Sequence, residues 1–290
     1  MADVCTAGVD TGFLALNYSE VAVLGAVQGV TELLPISSTA HMRIVPALMG
    51  WQDPGSAFSA AMQLAALFAV VSYFWRDICN VVFGSVRAVR EGDYYNPWLR
   101  LAIGIILATI PIGIAGLAFS QTLNACGTWV RNIEVIGFSC IAMAVLLGGA
   151  EVTCKHYRDV EGMGLRDALI VGLAQVGALI PGVSRSGSTL TAALFLGFRR
   201  EEAARFSFLI GLPVIFLAGV KELWVLWHVN LSTDGWMLLG WGLLVASISA
   251  FVAIWGLMRF LERFSTWPFI IYRALLGIGL LTGSWFGYFN

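Results

Sequence analysis

The sequence predicts an all-α integral membrane protein: a single domain of two halves in opposite orientation, with six spanning helices and two re-entrant helical hairpins. Three observations lead there. Of 290 residues, 58% are hydrophobic and only 12% are charged. A soluble domain carries about 25% charged residues, so this chain cannot clothe an ordinary water-facing surface and must face lipid. Six apolar segments reach or approach the ~20 residues that carry a helix across the hydrocarbon. Four shorter apolar pieces fall in two adjacent pairs, each broken near a proline.

The elements follow in order. The first 42 residues hold no Lys or Arg, while Asp3, Asp10 and Glu20 are acidic. A secretory signal opens with positive charge, so no cleaved leader is expected. Pieces 19–34 and 36–50 meet at Pro35, and spans at 56–75, 98–120 and 133–150 come next. Pieces 168–180 and 187–198 flank Pro181, and spans at 203–220, 236–258 and 267–288 complete the chain. Proline removes a helix N–H and clashes with the preceding turn, so each short pair reads as a helix that enters the membrane and a second that returns. Such a turn survives at depth only when buried in protein or lining a wet cavity. One kinked spanning helix at each place is the alternative.

The two broken pairs resemble each other. Gly25-Ala-Val-Gln28 precedes Ser37-Ser38 by the same count that Gly172-Leu-Ala-Gln175 precedes Ser184-Arg185, and Phe58-Ser59 corresponds to Phe206-Ser207 downstream. Each half, 1–150 and 151–290, is then a broken pair followed by three spans. Three is odd, so the second half enters from the opposite side, which is the pattern of an inverted repeat with a site near the midplane. Loop charges give an independent orientation. Arg76, Arg87, Arg90, Arg100, Lys155, Arg158, Arg166, Arg199, Arg200, Arg205, Arg259 and Arg263 fall on one side, against Arg131 and Lys221 on the other. The positive-inside bias puts the larger set in the cytoplasm and both termini outside. Arg273 is expected near the cytoplasmic start of the last span. A net charge of −1 offers no basic field for nucleic acid. Cys5, Cys79, Cys126, Cys140 and Cys154 have no metal-type spacing and read as small buried apolar residues.

The chemistry concentrates at the two breaks. Glu32, His41 and Arg43 lie close together in an apolar stretch, where ionisable residues are costly and imply a site. Gln28 and Glu32 are one helical turn apart and share a face. Ser37 or Ser38 is a natural N-cap for the helix after Pro35. Ser38 and His41, three apart, are expected to bring an imidazole beside a hydroxyl. The second break, Pro181-Gly-Val-Ser184-Arg185-Ser186-Gly187-Ser188-Thr189, combines glycines, hydroxyls, a guanidinium and a helix start. Those are the parts of an anion cradle, and phosphate is the ligand that suits them. The plainer readings are a structural Glu32 paired with Arg43 or Arg185, and an interior His41 with no chemical role. His156 and His228 read as solvated loop residues.

Glu32-Leu-Leu-Pro-Ile-Ser-Ser-Thr-Ala-His41 and Pro181-Gly-Val-Ser-Arg-Ser-Gly-Ser-Thr189 resemble the two signature regions of the undecaprenyl-pyrophosphate phosphatases, the family linked to bacitracin resistance. The likeness extends through Phe58–Trp75 and Phe206–Gly219. It implies an inverted-repeat fold in the bacterial cytoplasmic membrane and a site opening to its outer face. It also implies a divalent-metal-dependent conversion of undecaprenyl pyrophosphate to undecaprenyl phosphate, recycling a carrier for cell-wall synthesis. The family's acidic motif falls on Gln28 and Glu32, its serine–histidine pair on Ser38 and His41, and its arginine on Arg185. Many members carry glutamate where Gln28 stands and an acidic residue where Ser59 stands. Type-2 phosphatidic-acid phosphatases do not match: Thr191 occupies the place of their second histidine, and their lysine–arginine motif is absent.

The expected mechanism is phosphoryl transfer to Ser38, with His41 as general base or as acid to the leaving group. Arg185 neutralises the phosphoryl oxygens, and Ser37, Thr39, Ser184, Ser186, Gly187 and Thr189 are expected to bind phosphate. Glu32 and Gln28 are the expected ligands of Mg²⁺ or Ca²⁺, hard cations that take oxygen. Direct attack by water, with Ser38 only a ligand, stays open, as does a homodimer. A polyprenyl-phosphate flippase or secondary transporter would share the repeats and broken helices, but transport needs no nucleophile.

Overall fold

The computed structural model describes residues 5–6, 9–119, 132–229 and 231–287. These residues are almost entirely helical. The exceptions are a small antiparallel pairing of Cys5–Thr6 with Val9–Asp10 and short 3-10 turns, the first at Gly12–Ala15. The helices are α1 Tyr18–Leu33, α2 Ser38–Met49, α3 Gly55–Tyr73, α4 Trp75–Glu91, α5 Pro97–Ala118, α6 Ile133–Thr153, α7 Leu165–Val176, α8 Arg185–Phe195, α9 Arg200–His228, α10 Thr233–Leu261 and α11 Trp267–Trp285. Local chemistry sets many of the boundaries. Asn17 and Glu20 cap α1 reciprocally, each side chain accepting the other's backbone N–H at 2.9 Å. Asn96 caps α5 ahead of Pro97 at its first position. Gly50 and Gly92 end α2 and α4 in the left-handed conformation.

Among the described residues, α5, α6, α9, α10 and α11 are long and apolar enough to cross a membrane. The sixth expected span is different. The expected span at 56–75 falls on α3, which is bent by 74° from α4 at Phe74. Residues 78–96, expected as a loop, instead form most of α4. Their charged side chains dilute the apolar signal of a span. As a helix, however, α4 exposes Trp75, Val82, Phe83 and Val86 while burying Val81 and Ala88. That is the amphipathic make-up of a helix lying in the headgroup boundary. The four short pieces appear as α1, α2, α7 and α8. The expected connection over 121–132 lies outside the described residues except at Asn132, and Cys126 and Arg131 lie outside with it.

Packing crosses between the halves of the sequence. Helix α1 lies along α10, and α7 lies along α5. Both contacts depend on glycine: a Cβ at Gly25 would come within 2.7 Å of the Gly242 carbonyl oxygen, and one at Gly172 within 2.6 Å of that of Ala108. Without a hydrophobic drive between helices in lipid, such close backbone approach is what holds them. Helix α6 pairs with α11, and α3 packs on both α9 and α10.

Three of the basic residues expected on one side, Arg158, Arg200 and Arg205, form ion pairs with neighbouring elements. Arg200 pairs with Glu151, whose other oxygen accepts from Thr266 Oγ1 at 2.8 Å. Arg205 pairs with Asp77, and Arg158 with Asp167, both at 2.5 Å. Arg158 also lies over the Phe198 ring. These bonds tie the α3–α4 junction, the end of α6 and the starts of α7 and α9 into one end of the molecule. His156 departs from expectation: both ring nitrogens are buried from solvent, without a hydrogen-bond partner among the described residues.

Candidate active site

Both breaks turn on a serine with an unusual backbone. Helix α1 stops at Leu33, two residues before Pro35, and the next helix begins at Ser38. Ser37 has φ 72° and Ser184 has φ 70°, the only positive-φ residues other than glycine among those described. Such conformations cost about 1–3 kcal/mol and cluster at functional sites. Each serine caps the following helix: Ser37 Oγ accepts from Ala40 N at 3.4 Å, and Ser184 Oγ from Gly187 N at 3.2 Å. The starts of α2 and α8 are thus built alike.

Glu32 lies where the two meet and is buried. Its Oε2 accepts from Gln28 Nε2 at 3.0 Å and from Ser38 Oγ at 2.7 Å. Its Oε1 faces Arg185 Nη2 at 3.4 Å. Arg185 Nη1 is buried and unpartnered among the described residues, so one arm of the guanidinium is uncommitted. The guanidinium fits because residue 211 is glycine; a Cβ there would overlap Nη1. Ser186 Oγ donates to the backbone carbonyls of Glu32 (3.3 Å) and Leu34 (3.2 Å), joining the second turn to the first. Gln28, Glu32, Ser38 and Arg185, singled out separately along the sequence, therefore form one cluster.

Other expected members do different work. Thr189 bonds to Arg185 O at 2.8 Å and to Ser207 Oγ at 2.5 Å, inside the packing of α8 on α9. His41 forms no hydrogen bond to Ser38 among the described residues. Its Nδ1 lies 2.7 Å from Ser37 O, and its Nε2 lies 2.6 Å from Tyr272 Oη. A carbonyl only accepts, so Nδ1 carries the proton, and Nε2 of the neutral ring accepts from the tyrosine. The i,i+3 spacing put the two residues on one face, but Ser38, at the first position of α2, bonds back to Glu32 instead. Arg43 likewise pairs not with Glu32 but with Asp53, at 2.5 Å.

Arg273 lies in the first half of α11 and is fully buried. Nη1 donates to Pro35 O at 3.0 Å, and Nη2 donates to Gly182 O at 2.8 Å and Val183 O at 2.9 Å. One side chain from α11 thus pins both turns, and no carboxylate pairs with it among the described residues. An arginine inside an apolar span is expensive enough to demand an interior role, and that signal is present in the sequence. Tyr272 and Gly211 carry no such mark.

The donor set bears on a metal. No group of three or more His, Cys, Asp or Glu side chains converges among the described residues. The cluster nonetheless offers hard oxygen ligands in the Glu32 carboxylate, the Gln28 amide and the Ser38 hydroxyl. One carboxylate with neutral oxygens fits Mg²⁺, which commonly takes its remaining ligands from water and substrate phosphate.

Comparison with known proteins agrees with the signature regions. The family model described as Bacitracin resistance protein BacA matches residues 21–279. Undecaprenyl-diphosphatase 2 of Mesorhizobium japonicum is 67% identical over 90% of this chain and 99% of its own length. Undecaprenyl-diphosphatase of Gloeobacter violaceus is 50% identical over 90% of each chain. That of Trichormus variabilis is 46% identical over 94% of this chain and 86% of its own. The chain belongs to the bacitracin resistance protein BacA family.

Proposed function

We propose that this protein is a membrane phosphatase that hydrolyses undecaprenyl diphosphate to undecaprenyl phosphate and inorganic phosphate. The carrying observation is the Ser38 hydroxyl bonded to Glu32, which also faces Arg185 and its free Nη1. Ser38 Oγ attacks the terminal phosphorus and passes its proton to Glu32. The Oγ–P bond forms as the bond to the bridging oxygen breaks, and the lipid monophosphate leaves. Arg185 and the N–H groups at the start of α8 stabilise charge on the phosphoryl oxygens. After Glu32 releases its proton to solvent, it deprotonates the water that cleaves the phosphoserine. His41 and Tyr272 brace Ser37 in this scheme, and Glu32 takes the base role expected of His41. A bound Mg²⁺ or Ca²⁺, held by Glu32, Gln28 and Ser38, would supply charge neutralisation to the diphosphate.

The inverted repeat and the two re-entrant hairpins, α1–α2 and α7–α8, belong to the same reading. The exchange of α1 onto α10 and α7 onto α5, and the matched Ser37 and Ser184 caps, support two halves related by symmetry. The basic end of the molecule then faces the cytoplasm, and the site opens outward. Single cysteines at 93–95 or 157–159 should resist a membrane-impermeant thiol reagent in intact cells, while cysteines at 231–233 label. The reverse pattern would overturn this orientation.

The activity test is phosphate release from undecaprenyl or farnesyl diphosphate by the purified protein, with and without chelator. Wild type should release phosphate, and single-turnover quenching should trap phosphoserine in the peptide holding Ser38. Ser38→Ala and Glu32→Gln should each remove most activity, with the double variant little worse, because residues acting as one unit are non-additive. Turnover by Ser38→Ala with no trapped species would replace the covalent route by direct water attack. A flippase would release no phosphate at all.

A further inference from the structure

Next to the Ser38–Glu32 pair lies a space that shares Ser38 and Gln28 with this chemistry and whose other lining residues the chemistry does not use. It is a pocket of about 50 Å³ lined by Gln28, Ser38, Thr39, Arg43, Ser59 and Gln63, with Asp53 and Met42 at its wall. The polar groups on its lining are hydroxyls, amides and the Arg43–Asp53 pair, and its one cation is Arg43. Asp53 engages Arg43 through a single bond, Nη1 to Oδ2. No other bond to Arg43 is formed among the described residues, so the rest of its fork is available to a ligand.

The pair is held firmly. Asp53 Oδ1 accepts from Gly55 N at 2.8 Å at the start of α3. The Gly12–Ala15 turn buttresses that loop, with Phe13 N donating to Pro54 O at 2.9 Å and the Phe13 ring stacked on Phe58. Asp53 is thus a fixed post that aims Arg43 at the pocket. Gln28 and Ser59 are neutral, and the one carboxylate on the lining, Asp53, is already paired with Arg43.

We propose that this pocket seats the second phosphate of the substrate, the one that stays on the lipid. Arg43 grips it, and Asp53 positions Arg43. The proposal rests on the diphosphatase reading and extends it: Ser38, shared by both spaces, receives the terminal phosphoryl group while Arg43 holds its neighbour. A guanidinium matched to phosphate oxygens makes strong, paired bonds that an ammonium reproduces poorly. The site therefore discriminates a diphosphate from a monophosphate by binding.

The test is steady-state hydrolysis of farnesyl diphosphate and farnesyl monophosphate by the detergent-purified full chain, comparing wild type, Arg43→Ala, Arg43→Lys and Asp53→Asn. Arg43→Ala should raise KM for the diphosphate by about tenfold or more, in line with loss of a charge-assisted hydrogen bond, with a smaller change in kcat. KM for the monophosphate should barely move. Asp53→Asn should shift the diphosphate KM in the same direction by less, and Arg43→Lys should fall between. Inhibition by a non-hydrolysable methylene-bridged farnesyl bisphosphonate should weaken in parallel in Arg43→Ala. If Arg43→Ala does not survive purification, Arg43→Lys and Asp53→Asn carry the same KM comparison. An unchanged diphosphate KM, or equal losses on both substrates, would overturn the seat. A wild-type protein that turns over beside such variants defeats only this inference, whereas an inactive wild type defeats the hydrolase reading itself.

Discussion

The two turns at the centre of this protein share a backbone and divide the chemistry. Each follows a short helix, each places a serine at positive φ, and each serine caps the next helix through its own hydroxyl. Beyond that they part. The residue after Ser37 is Ser38, and five positions before Ser37 stands Glu32; the corresponding places around Ser184 hold Arg185 and Leu179. The first turn therefore contributes a carboxylate and a hydroxyl, and the second a cation. Neither is complete alone. Two turns of like backbone form one polar cluster because they differ at a few side chains, while their capped helix starts carry the same partial positive charge.

The largest effect is expected from emptying the second turn of its cation. Arg185→Ala should lower kcat/KM for farnesyl diphosphate by about a thousandfold, the scale of losing a preorganised transition-state donor. The protein should still fold and insert, as monitored by gel filtration and thermal melting in detergent. Lysine should restore little of the activity. Gly211→Ala tests the same group without touching it. The added methyl would occupy the space of Arg185 Nη1, so activity should fall in the same direction by a smaller factor. An Arg185→Ala enzyme near wild-type activity would mean that the second turn is only a mirror-image support.

The smallest effect probes the likeness of the turns instead. Ser37→Gly and Ser184→Gly each remove a capping hydroxyl but relieve a positive φ, and glycine at an N-cap costs only a few tenths of a kcal/mol. Both variants should melt close to wild type, and by nearly the same amount. Ser37→Val and Ser184→Val, which keep the strain and lose the cap, should each melt clearly lower. A large asymmetry between the two glycine variants would show that the turns are not equivalent supports.

Much of the fold and of the site is legible in the chain itself. Composition alone requires lipid contact, and the short apolar pieces around Pro35 and Pro181 mark two breaks that appear as α1–α2 and α7–α8. Gln28, Glu32, Ser38 and Arg185 announce themselves as polar or charged groups in apolar surroundings, where burial without purpose is costly. Helix α4 is not legible in the same way, because averaged hydropathy cannot tell an amphipathic helix from a loop. Its apolar face is visible only once the residues are wound onto a helix.

Taken as a string of residues, the chain names those that are too polar for their surroundings and how they are spaced. Which of them touch is a matter of the folded arrangement. Spacing allows His41 to reach Ser38, but the reversal of the chain at Ser37 turns Ser38 toward Glu32 and leaves His41 to Tyr272, 231 positions away in sequence. Spacing puts Arg273 near the start of the last span, but only the packing of α11 against both turns brings it to the carbonyls of Pro35, Gly182 and Val183. The physical reason is the same in both cases. A buried polar group must find a partner somewhere, and helical periodicity names only the neighbours on its own helix, while the partner is supplied by whatever chain the fold brings alongside.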